Sequence, residues 1–124
     1  MSVINAPDKP THELPGTRFT SLATPSRGSQ RTSVWQVDIE PGTPATPHEL
    51  LTEEVFVVLR GEATVELGGE TSVARPGDAI VVPPATLFAL SSTGSENLRA
   101  ICCMPAGGQA KLADGAAFTP PWAE

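Results

Sequence analysis

Thirteen prolines and eleven glycines punctuate this chain of 124 residues, roughly double the ~12% usual for these two residues together. Proline removes a backbone donor and glycine weakens helix interiors, so long helices do not survive such punctuation, whereas short strands joined by tight turns do. The segments between the turns read accordingly. In Ser33–Ile39, Trp35, Val37 and Ile39 fall on one face and Gln36 and Asp38 on the other. This period of two marks a half-buried strand. Glu54–Leu59 is apolar on both faces and reads as a strand covered on both sides. Ala63, Val65 and Leu67 alternate again, Gly68-Gly69 signals a hairpin, and short runs follow at 71–75, 79–82, 87–90 and 98–104. No stretch of eleven residues carries a helical stripe. About eight short strands at regular spacing predict an all-β antiparallel fold, a sandwich or a closed barrel.

Charge and composition narrow the partners. Fourteen carboxylates against eight Lys and Arg leave a net charge of −6, which does not suit a phosphate-backbone surface, so neither nucleic acid nor an anionic membrane is expected. The longest apolar run, Val55–Leu59, is too short to span a bilayer, and the opening residues show no basic start followed by an apolar stretch. The only cysteines, Cys102 and Cys103, are adjacent, which suits a reducing cytoplasm better than a disulfide framework. Three segments are expected: a prolyl arm over 1–17, a β-barrel over 18–105 and a tail over 106–124. Trp122 offers too much apolar area to leave in water, so it is expected against the barrel or a partner subunit.

A specific spacing begins at Gly42. Five residues separate it from His48; Leu50, Glu54 and Gly61 follow at fixed intervals. Further on, Gly77, Pro83, Ala85, Phe88 and Ser92 form a second series. These resemble the two motifs of the cupin superfamily, G-x5-H-x-H-x3-4-E-x6-G and G-x5-P-x-G-x2-H-x3-N. The resemblance implies an antiparallel jelly-roll β-barrel, commonly a homodimer. It also implies a divalent transition metal held by two histidines and a glutamate of the first motif and a histidine of the second. Here His48 and Glu54 stand at their places, but Leu50 and Phe88 occupy the other two, and neither has a lone pair to give. Ala85 replaces the motif's glycine and Ser92 its asparagine.

His48 and Glu54 are therefore the candidate catalytic pair and the remaining candidate metal ligands, with Cys102 or Cys103 as a possible third donor. Histidine is the side-chain type that titrates nearest neutrality, and a nearby carboxylate would orient it. The resemblance places Leu50 and Phe88 as walls of a mainly apolar pocket, strand parity adds Phe56, Val58 and Leu90, and Gln36 is a further candidate contact. Such a pocket with a polar spot suits a small organic ligand. The leading expectation is a small-molecule-binding cupin using His48 and Glu54 in acid–base chemistry. A degenerate metal-dependent cupin of dioxygenase or isomerase type, and a non-catalytic sensor or scaffold, stay open. Segment His48–Thr52 lacks the second histidine of H-E-x-x-H, and no nucleophile elbow, P-loop or dinucleotide fingerprint is present.

Overall fold

Trp35, Val37 and Ile39 point into the protein while Gln36 between them reaches the other side, as the alternation requires. The structure, a computed structural model, describes residues 2–124. In chain order the strands are β1 (His12–Leu14), β2 (Thr17–Ala23), β3 (Thr32–Ile39), β4 (His48–Leu50), β5 (Glu54–Arg60) and β6 (Ala63–Leu67). They continue as β7 (Glu70–Ala74), β8 (Ala79–Val82), β9 (Phe88–Ser92), β10 (Leu98–Pro105), β11 (Ala110–Leu112) and β12 (Ala117–Phe118). The only helical pieces among the described residues are single 3-10 turns at Pro25–Arg27 and Pro121–Ala123. No helix there is long and apolar enough to cross a membrane.

Two six-stranded antiparallel sheets result. One (sheet A) has the order β1-β2-β3-β10-β5-β8, the other (sheet B) the order β12-β11-β4-β9-β6-β7. Their inner faces meet in a jelly roll whose core includes Phe19, Trp35, Phe56, Val58, Phe88 and Leu98. Among the described residues the strand pairings do not link one sheet to the other, so the roll is a two-layered sandwich and not a continuously closed barrel.

Two turns rest on glycine for stated reasons. Gly68 and Gly69 both take positive φ, 58° and 87°, the geometry of the tight hairpin between β6 and β7. At Gly61, φ is 78° and a Cβ would sit 2.6 Å from the Asn97 carbonyl oxygen, so no side chain fits between β5 and β6.

Two features depart from the sequence reading, and the placement of Trp122 against the barrel bears it out. Strand β5 is covered on one face only: Glu54, Phe56 and Val58 are buried, whereas Val57 and Leu59 are 37% and 49% exposed. Among the described residues the outer side of sheet A stays open at these positions, so the double-sided apolar run has an uncovered face. The sheets also reach beyond 18–105. Residues 12–14 pair with β2, and residues 110–112 pair with β4. Trp122 lies against its own chain, its ring stacked on Phe19 with centroids 3.6 Å apart and planes 6° from parallel. The Ser33 hydroxyl donates to the Ala123 carbonyl at 2.6 Å and Ser21 to the Trp122 carbonyl at 2.8 Å, which latches the tail across β2 and β3.

Candidate functional site

Strand β4 carries His48 into sheet B between β11 and β9, opposite Leu112 on one side and Phe88 on the other. His48 shares its strand face with the buried Leu50 and therefore turns toward the interior, where it stays half-buried. Its ring meets Phe88 edge-on, with centroids 5.5 Å apart and planes at 76°. Thr46 precedes Pro47, which biases it toward extended backbone, and its carbonyl oxygen lies 2.8 Å from His48 Nδ1. A carbonyl can only accept, so Nδ1–H is the donor and in the neutral ring Nε2 holds the free lone pair.

Glu54 enters the same interior from sheet A. It opens β5 opposite Val82 and shares the inner face with Phe56 and Val58. The residue is 5% exposed and makes no side-chain hydrogen bond or ion pair with the described residues. Loss of hydration pushes its carboxyl up from the ordinary 4.5 to about 8, so at neutral pH it is mainly the neutral acid. The sealed side-chain polar atoms without a partner are Ser29 Oγ and Thr52 Oγ1; the Glu54 oxygens are not among them, which leaves the carboxyl a thread of contact with the outside. On neighbouring β10, Cys102 is fully buried, and burial followed by the Glu54 charge holds its thiol well above the ordinary range. Cys103 faces the other way and is half-buried, raised by burial and then by Glu54.

His48 and Glu54 face one interior but do not touch: no imidazole nitrogen lies within 4.0 Å of a Glu54 oxygen. Aromatic rings connect the two sides. Phe88 contacts His48 and also Phe56, at 5.3 Å between centroids, and Phe56 stands two residues beyond Glu54. Leu50 and Phe88 are 2% and 1% exposed. Burial of that order contributes about 2 kcal/mol per side chain, so both act as core residues where the motif would have imidazoles. Val58 lines the same interior, and half-buried Leu90 packs against it opposite Val65. Gln36 is elsewhere. It lies on the outer face of sheet A, where its Nε2 donates to Asp38 Oδ2 at 3.1 Å.

Cupins often hold a transition metal, and the donor set here does not fit one. No three His, Cys, Asp or Glu side chains converge among the described residues, and Leu50 and Phe88 offer carbon where two nitrogens belong. Two concavities lie on the outer faces: one of ≈ 290 Å³ on sheet B beside Pro47, Glu66 and Leu87, and one of ≈ 300 Å³ on sheet A. The second gathers Arg18, Arg60 and Arg99, which the sequence reading did not single out. Arg18 and Arg99 sit on the outward phase of their strands, whereas Arg60 falls on the inward phase of β5 and reaches the outer side through the register shift beside it; only cross-strand register shows that the three are neighbours.

The chain matches the cupin domain family (Cupin_2) over residues 35–104, more than half its length. No curated protein matches it. Among solved structures, the polyketide cyclase RemF from Streptomyces resistomycificus is similar with a TM-score of 0.72 and 20% identity, over 95% of this chain and 82% of its own. KdgF from Halomonas sp. gives 0.66 and 24% identity, over 82% and 86%. A salicylate 1,2-dioxygenase variant from Pseudoaminobacter salicylatoxidans gives 0.69 and 19% identity, over 82% of this chain and 30% of that enzyme. Such identities establish the shared fold, and neighbours on that fold include enzymes of different chemistry. With the two motifs, the two facing sheets and the family match in agreement, the chain belongs to the cupin family.

Proposed function

We propose that this cupin binds a small, mainly apolar organic molecule carrying an oxygen function at the His48–Glu54 end of the roll, and transfers a proton there. The observation that carries the reading is Glu54: a buried carboxyl with no partner among the described residues, held neutral by its surroundings. A neutral acid in an apolar site is a hydrogen-bond and proton donor, and His48 Nε2, freed by the Nδ1 contact, is a proton acceptor. Phe56 and Phe88 supply an aromatic wall between the two groups.

The test is a ligand-observed NMR screen of small aromatic and aliphatic carbonyl compounds against the native chain, His48→Ala and Glu54→Gln. Hits that weaken at least tenfold in both variants support the reading. Hits indifferent to both variants refute it.

A second reading, a non-catalytic scaffold with a filled interior, is favoured by the near-complete burial of Leu50 and Phe88. It predicts that His48→Ala alters stability alone. The proposal further takes the chain as a cytoplasmic homodimer; exposed Val57, Leu59 and Val81 on the outer side of sheet A support contact with a second copy.

A further inference from the structure

The overall acidity of the chain hides a basic groove on the outer face of sheet A. At one level of the sheet, four adjacent strands present Arg18 opposite Asp38, Asp38 opposite Arg99, and Arg99 opposite Arg60. One ion pair forms in this row. Arg99 Nε donates to Asp38 Oδ1 at 2.7 Å, while Gln36 occupies Oδ2, so the buried Asp38 has both oxygens engaged. Arg18 and Arg60 have no carboxylate partner among the described residues. Arg60 stands directly across from Arg99, and like charges so placed repel.

The arm supplies a wall. Arg27 Nη2 donates to the Asn5 carbonyl at 2.7 Å and the Thr11 amide donates to the Phe19 carbonyl at 2.9 Å, which fixes both ends of residues 6–10 beside the row. The open groove of ≈ 300 Å³ is lined by Lys9, Arg18, Arg60 and Arg99 against Asp8 and Asp38. Half of the chain's eight cations thus meet two of its fourteen carboxylates. Its volume sits at the small end of ligand clefts, ~300 Å³ and upward.

We infer that this groove binds a small anionic metabolite bearing a carboxylate or a phosphate. Arg18 and Arg60 present unpaired guanidinium forks, whose geometry matches either group, and Asp38 braces Arg99 at the floor. An anion between Arg60 and Arg99 would also relieve their repulsion. This site lies on the opposite face of the sheet from Glu54 and does not depend on any chemistry there.

The experiment titrates the native chain with inorganic phosphate and, separately, with succinate at constant ionic strength, using chloride as the control and backbone amide NMR shifts as the readout. Saturating shifts at Gln36, Asn97 and the arm, weakened at least tenfold in Arg18→Gln/Arg60→Gln, support the site. Whichever probe binds more tightly identifies the phosphate or carboxylate class. Arg60→Gln alone, at an exposed position, serves if the double variant unfolds. Two results overturn the inference: shifts no larger than those from chloride, or binding indifferent to the arginines.

Discussion

Replacing Glu54 by Gln should remove most of the pH dependence of stability between about pH 5 and pH 8. The carboxyl is raised from 4.5 to about 8 by burial, so across that window the unfolded chain releases a proton that the folded chain keeps. The folded state then binds more protons than the unfolded one, and stability falls as pH rises. Each pH unit in the window costs about 1.4 kcal/mol, giving about 3 kcal/mol at pH 7 and about 4 kcal/mol at pH 8. Against the ~5–15 kcal/mol total of an ordinary domain, this is a large share. Gln keeps the shape and cannot ionise. Its own buried amide carries a penalty of about 1–3 kcal/mol, but that penalty does not change with pH. The two cysteine thiols are raised above an ordinary 9.0, so their contributions begin above the window. Urea unfolding followed by tryptophan fluorescence, run on both proteins at steps from about pH 5 to about pH 8, reads the difference directly. The native curve should fall away from that of Glu54→Gln, which becomes the more stable protein at the alkaline end. Parallel curves would show that Glu54 is ionised and compensated in the fold, and the neutral-acid argument would collapse.

Ala85→Gly should stabilise the protein by up to about 1 kcal/mol. Ala85 holds φ at 56°, a conformation that costs a side-chain-bearing residue about 1–2 kcal/mol, partly offset in the variant by about 0.5–1 kcal/mol of glycine entropy. A lower melting temperature in the variant would contradict it. Val57→Asp should turn a homodimer into a species of 12.9 kDa by sedimentation equilibrium, because it sets a charge among the exposed Val57, Leu59 and Val81; a native chain already at that mass removes the dimer.

The strands were legible wherever alternation was long enough to count. β3 and β6 follow from period two, and the Gly68-Gly69 hairpin from chemistry that only positive φ satisfies. Strands β1 and β11 were not legible, since three residues carry no period and each exists through its neighbour. Parity also states that Gln36 opposes Trp35 and therefore leaves the interior, a consequence available in the sequence once Trp35 is taken as buried. The arginine row was beyond reach for a different reason. Asp38 and Arg99 are 61 positions apart and become neighbours only through the β3–β10 pairing, which no local pattern encodes. Likewise, a shared interior for His48 and Glu54 is what the cupin resemblance implies, whereas the gap between them depends on how two sheets pack.

The substitutions at Leu50 and Phe88 and the charge state of Glu54 belong to one physical event. A carboxyl beside a cation is held ionised; a carboxyl beside hydrocarbon is driven to its neutral form. The cupin motif sets the glutamate among histidines that gather positive charge. Here the corresponding positions carry an aliphatic and an aromatic side chain, both sealed in the core, and the acid remains where the motif put it. Nothing else in the described chain supplies a donor to it, so burial alone decides its protonation. The same framework that elsewhere positions a ligand for a cation thereby presents a hydrogen-bond donor, and a change of two side chains that never ionise changes what the third can do.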